Sequence, residues 1–459
     1  MNKQFIFDEK HKRSIYMGIA IGVVLLVVGL LLSNLKLGES HGAAKDEHAA
    51  QVAKGNGNEL LAAASRSPEE GGGEKTEEAS AGSESHGKPE PSFMAKLGSV
   101  TLIGNWYWIL AACFGVFFIT IKTLANAGWY VVIKRILEAY YMWMIPAIVL
   151  MLGFFFLFKS DVYLWAMDGL PGVSDVAKTD VEELIEHKAP FLNAGFYATA
   201  VVGILGFYFL IGHLYRKNSL VEEKEGGTRL FNKNFVMACV FLPVFAFSFS
   251  MICFQWIMSI DVVWFSTIFG VYNFAGMFVL GATITALIVI SLKEKGYLEN
   301  VTANHLHDLG KFMFAFSVFW AYIWTSQYLL IWYANMPEET IYYTDRYENY
   351  QLLFWLNFIL NFITPFIGLM KREIKRQADT LKRMAIIMLV GRFLDIFLLV
   401  IPGTMGEHWN LGLMIAAAGM VVVQGGMFFY LVYTTLAKAP LVATNHPYYQ
   451  ESLHHDTGV

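Results

Sequence analysis

The stretch FQWIMSIDVVWFSTIFGVY, residues 254–272, contains one acid, Asp261, within an otherwise apolar and aromatic run. A charged side chain costs free energy in the hydrocarbon core of a bilayer, so an acid in such a run needs a reason to be there. Asp261 is either a working group inside a membrane or part of the turn between two membrane helices. The rest of the chain decides between these two interpretations.

The composition is that of an integral membrane protein. Of 459 residues, 56% are hydrophobic and 16% are charged, whereas soluble domains carry about 25% charged residues. The net charge is −4 and no segment forms a basic domain, so nucleic acid is not an expected partner. Cys113, Cys239 and Cys253 lie in apolar runs outside any CxxC or CxxCH motif, so we predict no metal site and no covalently bound cofactor.

Apolar runs of about 20 residues, the length that crosses a bilayer as an α-helix, recur along the whole chain. The first follows Lys10, Lys12 and Arg13 and is longer than a signal-peptide core, so we interpret it as a retained anchor helix. The sequence therefore predicts an all-α protein with about ten transmembrane helices, over residues 14–35, 103–124, 139–158, 192–215, 235–257, 264–292, 311–335, 351–370, 382–402 and 411–436.

Lysine and arginine distribution predicts the orientation, because basic residues concentrate in cytoplasmic loops. One set of alternate loops holds seventeen Lys and Arg residues, and the other set, without the long loop 37–102, holds four. We therefore expect both termini in the cytoplasm and Asp261 at an outer turn. There it is expected to cap the next helix, with an outer proton exit as the alternative.

The long loop after the anchor has an unusual composition. Residues 69–92, EEGGGEKTEEASAGSESHGKPEPS, are rich in Gly, Ser and Glu, which is typical of a flexible linker. With the predicted orientation, residues 37–102 form a periplasmic flexible insert.

Charged residues within the predicted spans are candidates for function. Arg392 and Asp395 are three residues apart, so they share one helix face. They form either a pair that locks neighbouring helices or a pair that handles protons or binds lipid headgroups. Glu138 either starts a proton path or pairs with Arg135. His213 is the only histidine within a span, so the chain alone does not supply two axial ligands for a b-type haem.

Aromatic and amide side chains concentrate in NHLHDLGKFMFAFSVFWAYIWTSQYLLIWYANMPEET, residues 304–340. Trp320, Tyr322, Gln327 and Tyr328 offer ring planes and hydrogen-bonding groups that could line a quinone site. Packing between helices is the alternative role for most of them.

Four segments carry a resemblance to a known family: WIMSIDVVWFSTIFGVY, NAGWYVVIKRILEA, GRFLDIFLL and residues 305–340. The chain from about residue 100 to 440 resembles the NrfD-like polytopic subunits of bacterial alternative complex III, which oxidises quinol. The resemblance implies an inner-membrane protein with two four-helix bundles, formed by spans two to five and six to nine. The expected division is 1–36 for the tail and anchor, 37–102 for the insert, 103–262 and 263–403 for the bundles, and 404–459 for the last span and cytoplasmic tail.

The anchor and the insert resemble the second of the two such subunits in the complex. Family members carry an Asp-Trp pair and a Pro-His pair around the hairpin, where this chain has Gln255-Trp256 and Val262-Val263. We therefore expect quinone association, proton conduction or scaffolding rather than a complete quinol-oxidising site. The ligand implied is a non-covalent quinone, either menaquinone or ubiquinone.

The resemblance also implies partners that hold the redox centres. These are the sister NrfD-like subunit, an iron–sulfur protein, multihaem and monohaem cytochromes c, and a terminal oxidase as a further partner, with lipids around the helices. Two other functions fit ten spans: a secondary transporter, because Pro146, Pro243 and Pro365 interrupt spans, and a purely structural subunit.

Overall fold

A computed structural model describes residues 4–35, 90–167 and 175–456. Most of the predicted insert, residues 37–89, lies outside the described residues. Within the described part the protein is helical, with no β-strand and one isolated bridge between Gln4 and Pro440.

Ten described helices are long and apolar enough to cross a membrane, which confirms the predicted all-α, multi-pass class. They are named in chain order. Their bounds are Glu9–Asn34 (α1), Phe93–Leu124 (α2), Lys134–Val162 (α3), Ala194–Glu225 (α4), Arg229–Ile260 (α5), Phe269–Glu294 (α6), Ala303–Ala334 (α7), Glu339–Gly368 (α8), Ala378–Met405 (α9) and Leu411–Leu436 (α10).

Helix α2 begins at Phe93, well before the predicted start of the span at residue 103. Ser92 caps it by accepting a hydrogen bond from the backbone N–H of Ala95. Lys96 in the first turn donates to the backbone oxygen of Ser33 at 3.0 Å, at the end of α1. These polar contacts extend the helix beyond its apolar run, so the end of the predicted insert is helical.

Two helices are enclosed by the others. The apolar window of α2 is completely buried, and that of α6 is 89% buried. A helix that is hydrophobic all round is expected to lie inside a bundle. Helix α2 contacts α3, α5, α6, α9 and α10, and α6 contacts α5, α7 and α9. They therefore form the centre around which the other helices pack.

The remaining contacts follow the chain. Helix α4 packs against α3 and α5, and α8 packs against α7 and α9. Helix α1 lies outside these groups and makes its most extensive contact with α10. Small residues allow the close approach: a Cβ at Gly29 would lie 2.3 Å from the backbone nitrogen of Ala416. Most of the rest of the α1 surface is exposed.

Irregular turns interrupt several of the long helices, and two of them lie near buried polar residues. In α3 a 3₁₀ turn, Tyr140–Trp143, separates the first helical segment from the second. In α8 a π-helical turn, Ile359–Ile363, contains Asn361, whose side chain donates to the backbone oxygen of Gly391 at 2.8 Å. Turns of this kind are frequent at functional sites. A further short helix, Asp175–Lys188, lies between α3 and α4.

The segment after α10 returns across one end of the helices. Ser452 donates to the backbone oxygen of Trp129 at 2.8 Å, and the His455 ring lies 2.6 Å from the carboxylate of Asp308. Asn445 donates to the backbone oxygen of Glu223. This segment, residues 437–456, is called the C-terminal strap, and it links α3, α4 and α7 at the end where α3 begins.

Candidate functional site

The clearest buried polar site surrounds Asp395 on α9. An Nη atom of Arg392 lies 2.8 Å from the carboxylate, so the predicted pairing on one helix face is confirmed. The Tyr272 hydroxyl of α6 and the Asn357 side chain of α8 both donate to the same carboxylate oxygen. These four residues are named the Asp395 cluster. Its carboxylate is held by three different helices.

The fold makes room for the arginine of this cluster. A Cβ at Gly276 of α6 would lie 2.1 Å from an Nη atom of Arg392, so a larger residue there would force the guanidinium to shift. The Trp320 ring of α7 lies 5.7 Å from the guanidinium carbon, a cation–π contact. Two guanidinium nitrogens have no hydrogen-bond partner among the described residues. Buried donors without a partner are rare in native structures, so these two nitrogens call for an explanation.

A small void adjoins the Asp395 cluster. Its volume is about 30 Å³, and Tyr272, Gln327, Asn357 and Asp395 contribute polar groups to its lining. A polar cavity of this size holds on the order of one water, and it is too small for a quinone ring. Gln327 therefore lines the same small polar void as Asp395. It does not line a pocket that could bind a ring.

A larger cavity lies at the end of the helices that contains the turn between α5 and α6. Its volume is about 430 Å³, within the range of small-molecule sites. We name it the Asp261 cavity. The Trp264 and Tyr342 rings in its wall stack at 3.8 Å between centroids. The Asp161 carboxylate, also in the wall, accepts a hydrogen bond from Ser92 at 2.9 Å.

Asp261 occupies a turn between two helices, as the sequence predicts, but it does not cap α6. The residue before α6 is Ile268, and no side chain caps that helix. The Asp261 carboxylate instead lies 3.5 Å from an Nη atom of Arg346, on α8. The expected cap is therefore wrong, and an ion pair takes its place.

A second buried charge cluster surrounds Glu138 at the opposite end of the helices. Three cations and two carboxylates approach one another here at 3.4–3.8 Å. The pairing of Glu138 with Arg135 is as predicted, and Glu138 also pairs with Lys134 and Arg216. The members of this Glu138 cluster are Lys134, Arg135, Glu138, Arg216 and Glu222.

The C-terminal strap covers the Glu138 cluster. Thr444 donates to the carboxylate of Glu223, which lies 3.6 Å from Arg135. His446 is buried beside the cluster, and its Nδ1 accepts a hydrogen bond from the backbone N–H of Tyr448. Burial, together with the positive charges of Lys134 and Arg135, lowers the pKa of His446 to about 2. The strap therefore places the neutral imidazole of His446 beside the charged side chains of the Glu138 cluster.

The aromatic candidates of α7 do not converge on one pocket. Trp320 is buried against Tyr272 and Arg392. Tyr322 is 66% exposed and faces outward. Tyr328 stacks with Trp324 at 6.3 Å between centroids. Of these residues only Trp320 contacts the Asp395 cluster.

Sequence reasoning missed several residues that complete the two sites. Tyr272 lies in the stretch 254–272, but nothing in its spacing shows that it contacts α9. Asn357 carried a usable signal, because Asn357 and Asn361 are four residues apart in an otherwise apolar run and share a helix face. Arg346 and Tyr342 lie in a loop by hydropathy and gave no such signal.

The fold and its polar clusters define a multi-pass helical membrane protein with two buried groups of paired charges. Comparison of the chain with protein-family models and with curated proteins finds no match. The resemblance to NrfD-like subunits rests on the sequence motifs alone.

Proposed function

We propose that this chain is the NrfD-like membrane subunit of a bacterial alternative complex III, in which Asp395 exchanges protons with the Asp261 cavity. One observation carries the proton role. A carboxylate buried between three helices adjoins a polar void, and Tyr342 and Arg346 line both that void and the larger cavity. Intramembrane carboxylates in such positions are typical of proton relays.

The two-bundle arrangement belongs to the same proposal. Its support is that α3 and α4 pack with α2 and α5, whereas α7 and α8 pack with α6 and α9. The charge distribution of the loops supports an orientation with the Glu138 cluster at the cytoplasmic end and the Asp261 cavity at the outer end. The membrane is then the bacterial inner membrane.

The Asp261 cavity is the site that best fits a quinone headgroup. Its volume of about 430 Å³ accommodates a ring, and the stacked Trp264 and Tyr342 rings offer an aromatic wall. The carboxylates of Asp261 and Asp161 can accept protons. Quinol oxidation releases two electrons and two protons. The electrons go to haem and iron–sulfur centres in the partner subunits, and this chain accepts the protons.

Substitution of Asp395 tests the proposal. We expect Asp395→Asn to lower quinol oxidation by the intact assembly at least about a hundredfold, the lower end of the range for loss of a proton-transfer group. Purification through a tag on this chain, followed by a measurement of subunit content and quinol turnover, gives both assembly and activity. The Tyr322→Phe variant is the control, because Tyr322 faces outward.

Two other outcomes distinguish the alternatives. Full turnover in the Asp395→Asn assembly would overturn the proton role and favour a purely structural subunit. Substrate flux into vesicles that contain this chain alone would favour a secondary transporter.

A further inference from the structure

Two cavities share part of one wall. The Asp261 cavity and the small void beside Asp395 share Arg346 and Tyr342 in their walls. Arg346 is 5% exposed, so its guanidinium lies inside the protein and not at the surface. A proton that moves from one cavity to the other along this shared wall passes a positive charge.

Arg346 is held in place by contacts of two kinds. Its Nε donates to the backbone oxygen of Leu398 at 3.1 Å, and an Nη donates to the backbone oxygen of Tyr342 at 2.8 Å. Its guanidinium carbon also lies 3.3 Å from the centroid of the Tyr342 ring. These contacts do not depend on any ionisable partner. They fix the plane of the guanidinium between the two cavities.

The third contact is different. The other Nη lies 3.5 Å from the carboxylate of Asp261, a long distance for a charge-assisted hydrogen bond. The Asp261 side chain is 27% exposed, whereas that of Arg346 is 6% exposed. Both side chains line the cavity, and Asp261 is the more accessible of the two.

We propose that Arg346 is an electrostatic barrier that separates the Asp261 cavity from the void beside Asp395, and that its ion pair with Asp261 helps to hold the guanidinium in this position. This inference rests on the proposed proton role of Asp395. A fixed guanidinium repels protons and other cations, as arginines do at constrictions of membrane pores. The barrier limits passive proton flow between the two cavities, and protons pass to Asp395 when the guanidinium moves aside.

The test measures passive proton flow through the assembly in vesicles without quinol, with a pH-sensitive dye inside and a potassium ionophore to balance charge. We expect Arg346→Gln to raise the leak by about tenfold or more, the range over which fixed charges change ion encounter rates. Asp261→Asn should raise it less, because Arg346 keeps its two backbone contacts. Arg346→Lys keeps the charge and should leave the leak near that of the wild type.

The double variant Arg346→Gln, Asp395→Asn separates the two proposals. If its leak returns to the wild-type value, the added flow runs through Asp395 and both proposals are supported. An unchanged leak in Arg346→Gln overturns the barrier, while the effect of Asp395→Asn on quinol turnover decides the proton role independently. If Arg346→Gln does not assemble, a leak in the Arg346→Lys assembly equal to that of Asp261→Asn also overturns the barrier.

Discussion

The Asp395 cluster and the Glu138 cluster both bury arginine beside a carboxylate, but they hold that carboxylate differently. Asp395 has an arginine at 2.8 Å and hydrogen bonds from Tyr272 and Asn357, and a void lies next to it. Glu138 is surrounded by three cations at 3.4–3.8 Å, under the C-terminal strap. The first arrangement orients one carboxylate beside a polar space. The Glu138 cluster distributes its charge over several partners, and this arrangement is suited to holding helices together.

The largest expected effect concerns the partner of Arg392. Asp395→Ala leaves a buried arginine without its counter-ion, so we expect the free energy of unfolding to fall by about 3–5 kcal/mol. Thermal denaturation in detergent measures this loss. The double variant Arg392→Met, Asp395→Leu should recover most of the stability without recovering quinol turnover. Recovery of both would assign the cluster a structural role only.

Glu138 should matter for stability more than for turnover. Glu138→Gln leaves three cations beside Glu222 and Glu223, and we expect a loss of about 2–3 kcal/mol. Turnover per assembled complex should stay within about twofold of the wild type, a change of less than about 0.5 kcal/mol in the activation barrier. Glu222→Gln is the matched comparison within the cluster. A turnover loss specific to Glu138→Gln would place Glu138 on a proton path.

Gly276 tests whether the position of Arg392 is fixed by shape. Gly276→Ala places a Cβ 2.1 Å from the guanidinium, and the resulting overpacking should cost about 1–3 kcal/mol. Gly203→Ala on α4 is the control, because nothing lies within 4 Å of its Cβ. The same denaturation measurement applies to both. Equal stability of the two variants would mean that Arg392 can move aside freely.

His446 makes the covering of the Glu138 cluster sensitive to pH. Its pKa is about 2 in the folded protein and 6.5 in a free chain. The unfolded strap therefore binds the extra proton below pH 6.5, and the folded strap loses about 1.4 kcal/mol of stability for each pH unit below that value. The protection of the backbone amides of residues 437–456 against hydrogen exchange, after correction for the intrinsic exchange rate at each pH, should decrease from pH 6.5 to pH 5. In the His446→Gln variant this pH dependence of hydrogen exchange should disappear. If it persists, another titrating group causes it.

The sequence predicted the individual helices well, but it did not predict which residues of different helices contact one another. Hydropathy predicted all ten spans, and a spacing of three predicted that Arg392 and Asp395 share a face. Contacts across the chain carried no such signal. Asp261 and Arg346 are 85 residues apart, and no periodicity shows that they meet. The prediction that Asp261 caps α6 was wrong because helix capping considers only neighbours in sequence, whereas the partner of Asp261 lies far along the chain.

The start of α2 shows a second limit of hydropathy. Polar residues such as Ser92 and Lys96 suggest a loop when they are considered alone. In the fold Ser92 caps the helix and Lys96 contacts the end of α1, so the helix extends beyond its apolar run. A hydropathy window cannot include these contacts, because they depend on a helix that precedes the insert.

The C-terminal strap has a consequence for biosynthesis. Asn445 is made 222 residues after Glu223, whose backbone it binds. Since chains emerge from the ribosome amino end first, α3 and α4 are inserted long before the residues that cover their charges exist. The Glu138 cluster is thus left uncapped throughout translation of the second half of the chain. Closure of the strap is a late maturation step, and it distinguishes a finished subunit from a nascent one.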